Sequence, residues 1–323
     1  MKRFLARTSL FLLIQLAILS LVVRYAKPLR SNHFAYALQD KIERLESAPG
    51  PRIIFVGGSS VAFGIDGHLI RERLEREPVN LGLHAELGLD LPLRLVADRV
   101  QPRDLVVVAP EYALLLAPEK PLAEMEILQR VPEVYACLTT ARAEQLKSSL
   151  DCGLIQLSQR VQSLVRGQPP VAAQPSVYLR SSFNEFGDMV AHYNRPAEKI
   201  ERDGVRLACD RARLLDAIER LNRFYDECRS RGAEACFSFP PFPAEVLQQD
   251  RAAAGEIEFL LAEHLRFPII DRPADGGFAW HEFYDTVYHL NRTGVVRRST
   301  ELAQRLQSLV ALRIAAGESA EAR

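Results

Sequence analysis

Residues 104–109 read DLVVVA, a run with no polar side chain after its first position. A strand that apolar is buried on both faces, which points to a parallel sheet with helices above and below it. The flanking pattern agrees. Residues 52–56 and 78–81 form two more short apolar strands, and the stretches between, 67–76 and 89–100, place apolar residues at helical spacing. Strand, helix, strand, helix, strand implies parallel pairing through right-handed crossovers. The alternation resumes after residue 205. Residues 210–231 read as a long helix with Leu214, Ile218, Leu221, Tyr225 and Cys228 on one face and Gly232 placed to stop it. A strand at 236–239, a helix at 245–265, a strand at 267–271 and a closing helix at 295–314 follow. Residues 119–166 are helical in pattern without a clear strand, and 168–175 are a proline-containing linker tract. The expectation is an α/β fold, a three-layer α/β/α sandwich around a mostly parallel five-stranded sheet. It spans residues 31–323, with 118–205 as a helical insertion or lid.

Residues 1–30 read as a separate unit. Residues 8–23, TSLFLLIQLAILSLVV, are uncharged and apolar. As a helix they span roughly 24 Å, against a hydrocarbon core of roughly 30 Å. Snorkelling of Arg3, Arg7 and Arg24 closes the gap. A cleaved signal peptide is the rival reading, but small residues three apart do not precede a cleavage point. The expectation is a single-pass transmembrane signal anchor with an extracytoplasmic domain, although flanking positive charges nearly cancel. Residues 31–46, with Phe34, Leu38, Ile42 and Leu45 at helical spacing, read as a juxtamembrane helix ending at Pro49-Gly50-Pro51.

The chain's 323 residues are 48% hydrophobic and 25% charged, an ordinary globular composition. With 41 basic and 41 acidic residues there is no electrostatic case for nucleic acid. The five cysteines, Cys137, Cys152, Cys209, Cys228 and Cys236, form no Cys-x-x-Cys pair and no Cys/His metal spacing. Cys228 and Cys236 read either as buried neighbours or as a disulfide. No His-Glu-x-x-His, phosphate-binding P-loop or Gly-x-Gly-x-x-Gly is present, so neither a metal nor a cofactor is expected, and a nucleotide-binding protein is the least favoured class.

Two segments carry chemistry. Gly57-Gly58-Ser59-Ser60 follows the first strand, at the end of a parallel sheet where ligands sit. The glycines allow a tight turn and close backbone approach. Backbone N–H groups at the turn can face a developing oxyanion. The bland alternative is a strand-to-helix turn with a serine cap. Far downstream, Tyr284-Asp285-Thr286-Val287-Tyr288-His289-Leu290-Asn291 offers an imidazole and a carboxylate four positions apart, which share a face on a helical turn. A serine hydroxyl needs a base near neutral pH, and an acid that orients the base stabilises its charged form. Here the bland alternatives are a surface or core histidine and a helix cap. His281 is the nearest competitor.

This ordered set resembles the SGNH, or GDSL-like, hydrolase superfamily, and most closely its membrane-anchored bacterial branch, which includes proteins similar to polysaccharide O-acetyltransferases. The resemblance covers most of residues 50–312 outside the insertion. It implies Ser59 as nucleophile, His289 as base and Asp285 as its orienter. Backbone N–H groups of Ser59 and of Gly82, in Asn80-Leu81-Gly82, are the implied oxyanion donors. The implied partners are the lipid bilayer, a cell-envelope glycan or lipid substrate and, for acyl transfer, a membrane acyl-donor protein. The chain departs from the pattern twice. Pro110-Glu111-Tyr112 stands where the family supplies an oxyanion-hole asparagine, a donor worth about 10²–10³ in rate. Glu111 would repel an oxyanion, and Tyr112 O–H is the available substitute. The acid and histidine are four apart where the family commonly has three, a spacing tolerable if the segment is a loop entering a helix. The missing asparagine favours, as the alternative, an inactive scaffold of the same fold that binds a glycan or membrane partner.

Overall fold

The computed structural model describes residues 1–25, 32, 34–116 and 177–321. Four parallel strands form the main sheet: β1 (Arg52–Val56), β2 (Glu77–Asn80), β3 (Leu105–Val108) and β4 (Glu234–Phe237), in the order β2-β1-β3-β4. Ile53 is in register with Leu105, and Phe55 with Asn80. Ten helices are described: α1 (Lys2–Tyr25), α2 (Ala37–Ser47), α3 (Ser59–Ala62), α4 (Gly67–Leu74), α5 (Asp90–Ala97), α6 (Tyr112–Leu116), α7 (Arg211–Ser230), α8 (Ala244–Gln249), α9 (Arg251–His264) and α10 (Arg292–Glu321).

Successive strand side chains point to opposite faces of a sheet, and the two cores follow that rule. Ile54, Val56, Val106 and Val108 pack with Val96 of α5, Ile218 of α7 and Leu260 of α9. Ile53, Phe55, Leu105 and Val107 pack on the other face with Ile70 of α4 and Leu306 of α10. At the N-terminal edge of the sheet, the fully buried Arg52 and Asp104 side chains pair. Arg52 also donates to the carbonyls of Leu45 and Arg99, tying α2 and the end of α5 to β1. All four strands therefore run toward one common edge, where the site residues lie.

The main sheet has four strands, not the five expected. Residues 267–271 contribute a single parallel bridge, Phe237 to Ile269. Pro268 lends its carbonyl to the Phe237 N–H at 2.8 Å but has no N–H of its own. Beyond the bridge, the Asp271 carboxylate takes the Phe239 N–H at 2.8 Å and the Ser238 hydroxyl, so side-chain bonds replace the ladder. The helix expected over 245–265 is divided at Asp250, whose carboxylate accepts from the Arg206 guanidinium and from the Leu207 N–H at 2.8 Å.

Most of the expected insertion, residues 118–176, lies outside the described residues, with Cys137 and Cys152 in it. The remainder, 177–205, is not helical apart from one 3₁₀ turn at Arg180–Ser182. It is built into the body: the Asn80 N–H donates to the Phe186 carbonyl at 2.8 Å, and the Met189 N–H to that of Ala62 at 2.9 Å. Cys228 and Cys236 are both buried, and no disulfide joins them.

The helix α1 forms over the apolar N-terminal run, and Leu10, Phe11, Leu12, Leu13, Ile14, Leu16 and Ile18 are exposed on it. Among the described residues no helix is long and apolar enough to cross a membrane.

Candidate functional site

The Gly57-Gly58-Ser59 segment is shaped by close approach. A Cβ on Gly57 would lie 2.6 Å from Val61 Cγ2, and one on Gly58 would lie 2.7 Å from Glu111 Cδ. At Gly57, where the Ala109 carbonyl also lies 2.5 Å away, no side chain larger than hydrogen fits, whereas at Gly58 the clash is with the Glu111 carboxylate alone. Ser59 is the first residue of α3 and is half-buried. Its hydroxyl donates to Glu111 Oε1 at 3.3 Å, a long and weak bond for two oxygens. The Gly58 N–H donates to Glu111 Oε2 at 2.9 Å and the Ser60 N–H to Oε1 at 2.7 Å. Glu111 follows the end of β3 by three residues and is buried. The position expected to repel an oxyanion thus holds a carboxylate that fills the donors beside Ser59.

Gly82 lies against the same turn. A Cβ there would meet Val61 Cβ at 2.6 Å and the Gly58 carbonyl oxygen at 2.7 Å. Its N–H is spent within its own turn, donating to Asn80 Oδ1 at 2.9 Å. Asn80 in turn donates from Nδ2 to the Val61 carbonyl at 3.0 Å and to Asp188 Oδ1 at 2.8 Å. Asp188 also receives the Gly67 N–H at 2.7 Å. Lys41 of α2 donates to the carbonyls of Asn80 and Gly187. Burial pushes this lysine down to about 7, against the opposing charges of Asp188 and Asp40. This buried network holds the second motif against the first.

His289 sits on a loop that enters α10, the arrangement under which the four-residue spacing is tolerable, and not within a helical turn. An antiparallel bridge between Phe283 and Leu290 closes the loop, and Asn291 caps α10 just after it. The Tyr284 N–H donates to the His289 carbonyl at 2.7 Å, and the His289 N–H to Thr286 Oγ1 at 3.2 Å. That curvature brings His289 Nδ1 to 2.7 Å from Asp285 Oδ1. The Tyr178 hydroxyl donates to Asp285 Oδ2 and lies 3.3 Å from His289 Nδ1. Burial pushes the Asp285 carboxyl up, but the bond and charge of His289 and the Tyr178 hydroxyl outweigh it and hold the group below its usual range. An ionised carboxylate on Nδ1 assigns the proton to that nitrogen and leaves Nε2 as the acceptor.

The imidazole stacks on Phe63, with ring centroids 4.0 Å apart and planes within 6°. Phe63 follows Ser59 by four residues, and its N–H bonds the Ser59 carbonyl at 2.9 Å. Positions four apart on a helical turn share a face, so Phe63 docks the His289 ring on the wall that carries Ser59. Among the described residues, however, no hydrogen bond joins Ser59 to His289. Tyr112 does not replace the missing asparagine: its ring lies in the apolar core beside Phe239 and Phe242, and its buried hydroxyl has no partner. His281 is in a separate cleft of about 490 Å³ with Glu198, Lys199, Arg202 and Trp280. Among the described residues no group of three or more His, Cys, Asp or Glu is arranged to hold a metal.

Sequence reasoning missed Tyr178, Phe63 and the second buried histidine, His192. Only Phe63 had a signal available, its four-residue offset from Ser59. No family model matches the chain, and no curated protein matches it.

Proposed function

We propose that the domain is a serine esterase or O-acyltransferase of the SGNH type, acting on acyl esters of a cell-envelope glycan or lipid. The observation that carries this reading is an oriented imidazole: His289 is bonded through Nδ1 to Asp285, braced by Tyr178 and stacked on the residue four after Ser59. Ser59 Oγ attacks the acyl carbon while its proton passes to His289 Nε2. The tetrahedral oxyanion then collapses, the bond to the alcohol oxygen breaks, and Nε2 returns the proton to that oxygen. Water or a sugar hydroxyl attacks the acyl-serine by the reverse sequence, releasing a carboxylic acid or a new ester. The exposed apolar side chains of α1 support a membrane anchor, with the domain outside the cytoplasm and, for transfer, a membrane protein as acyl donor.

A second reading, an inactive scaffold binding a glycan or membrane partner, is favoured by the occupation of the backbone donors by Glu111 and Asn80. Modification by a fluorophosphonate separates the two. The enzymatic reading expects labelling on Ser59 that disappears in Ser59→Ala. A folded wild-type protein that takes no label, yet binds a glycan in both Ser59→Ala and His289→Ala forms, selects the scaffold.

A further inference from the structure

Glu111 holds both of its oxygens against the N–H groups that flank Ser59. One receives the Gly58 N–H, and the other receives the Ser60 N–H and the Ser59 hydroxyl. A carboxylate gripped by two N–H groups and the nucleophile's hydroxyl has the charge and shape of the acid that ester hydrolysis would release. An independent feature lies behind the cradle. Arg298 is buried and donates from Nη1 to the Ser60 carbonyl at 2.8 Å, while its buried Nη2 has no hydrogen-bond partner. Ser60 Oγ is buried and unpartnered as well. Leaving such donors unpaired costs about 1–3 kcal/mol each. Burial pushes Arg298 down to about 10, against the charges of Asp271 and Glu111. A carboxylate displaced from the cradle therefore has an unpaired guanidinium N–H in the same buried cluster.

We propose that Glu111 is a built-in occupant of the anion cradle around Ser59 and must give way before an acyl group can be attacked. The proposal rests on the reading of Ser59 as nucleophile, and it accounts for a hydroxyl bonded to Glu111 and not to His289.

The test empties the cradle. In Glu111→Ala, Ser59 Oγ should attack the phosphorus of a fluorophosphonate, with loss of fluoride, at least about tenfold faster than in wild type. Equal or slower labelling of the folded variant overturns the proposal. If Glu111→Ala does not fold, Glu111→Gln is expected to show a smaller acceleration, and none overturns the proposal equally. Formate reads the cradle without any chemistry. In excess it should raise the melting temperature of Glu111→Ala and leave wild type unchanged. If no form of the protein takes label, the nucleophile reading falls and formate decides alone. A rise confined to the variant keeps Glu111 as occupant, and no rise removes it.

Discussion

The two halves of the site are prepared to different degrees. On the base side every polar contact serves one geometry: Asp285 bonds Nδ1, Tyr178 bonds Asp285, and Phe63 fixes the ring plane. On the nucleophile side the donors are spent on the chain itself, Gly58 and Ser60 on Glu111, and Gly82 on Asn80. The difference follows from what each half would suffer without a ligand. An imidazole can leave Nε2 to water. A buried N–H with no acceptor costs about 1–3 kcal/mol, so a cradle of several such groups is stable in the resting protein only if something fills it. Side chains fill it here, and under the proposed function an acyl ligand must compete with them.

The largest expected effect breaks the prepared half. Asp285→Asn cannot hold the proton on Nδ1, and ester turnover should fall about 10⁴-fold, with labelling of Ser59 falling in parallel. A drop of less than about tenfold would separate His289 from the chemistry. A smaller effect sharpens the contrast. Tyr178→Phe removes one donor from Asp285 while keeping the ring. The tyrosine's own ionisation is pushed upward by burial and by Asp285, so in wild type it remains a donor. Without it the carboxylate is more basic and stabilises the imidazolium better. Turnover should still fall about tenfold, because the carboxylate loses the bond that fixes its position against Nδ1, and the acid limb of the kcat/KM profile should move to higher pH. An unmoved limb would leave Tyr178 a packing residue only.

The prepared and self-filled halves were unequally legible in the sequence. Strands such as LVVV announce themselves because burial on both faces excludes polar residues, and Gly57-Gly58-Ser59 and Asp285/His289 stand out by residue type. Tyr178 does not: it lies 107 positions from Asp285, and no local pattern distinguishes a tyrosine that will brace a carboxylate. Glu111 was visible, but its charge was read against a ligand's oxyanion and not against the chain's own N–H groups. The expected fifth strand failed for a related reason. Its apolar residues were read correctly, but Pro268 and the Asp271 bonds to Ser238 and Phe239 end the ladder after one bridge. Periodicity reports which face is buried and says nothing about which polar group will take a particular N–H.

The smallest expected effect concerns two histidines that share Phe63. His289 stacks on its ring at 4.0 Å, and His192 lies 4.9 Å from it. His192 is fully buried, with Nε2 2.9 Å from the Leu290 carbonyl and Nδ1 unpartnered. Burial pushes it down to about 4, the Leu290 bond opposing and the His289 charge assisting. In the unfolded chain it returns to about 6.5. Between those values the unfolded state binds a proton that the native state refuses, so stability rises with pH across this window and is lost on acidification, by on the order of 3 kcal/mol. Asp285 acts in a lower window. Its native value is depressed, so its contribution is present above about 3.9 and is lost as pH falls through the native value. His192→Gln can still donate to Leu290 but cannot ionise. Its melting temperature should therefore vary less between pH 4 and 6.5 than that of wild type, while the kcat/KM profile set by His289 keeps its acid limb in place. A variant as acid-sensitive as wild type would show that the lost stability belongs to another group, and a displaced acid limb would show that the two imidazoles titrate together through Phe63.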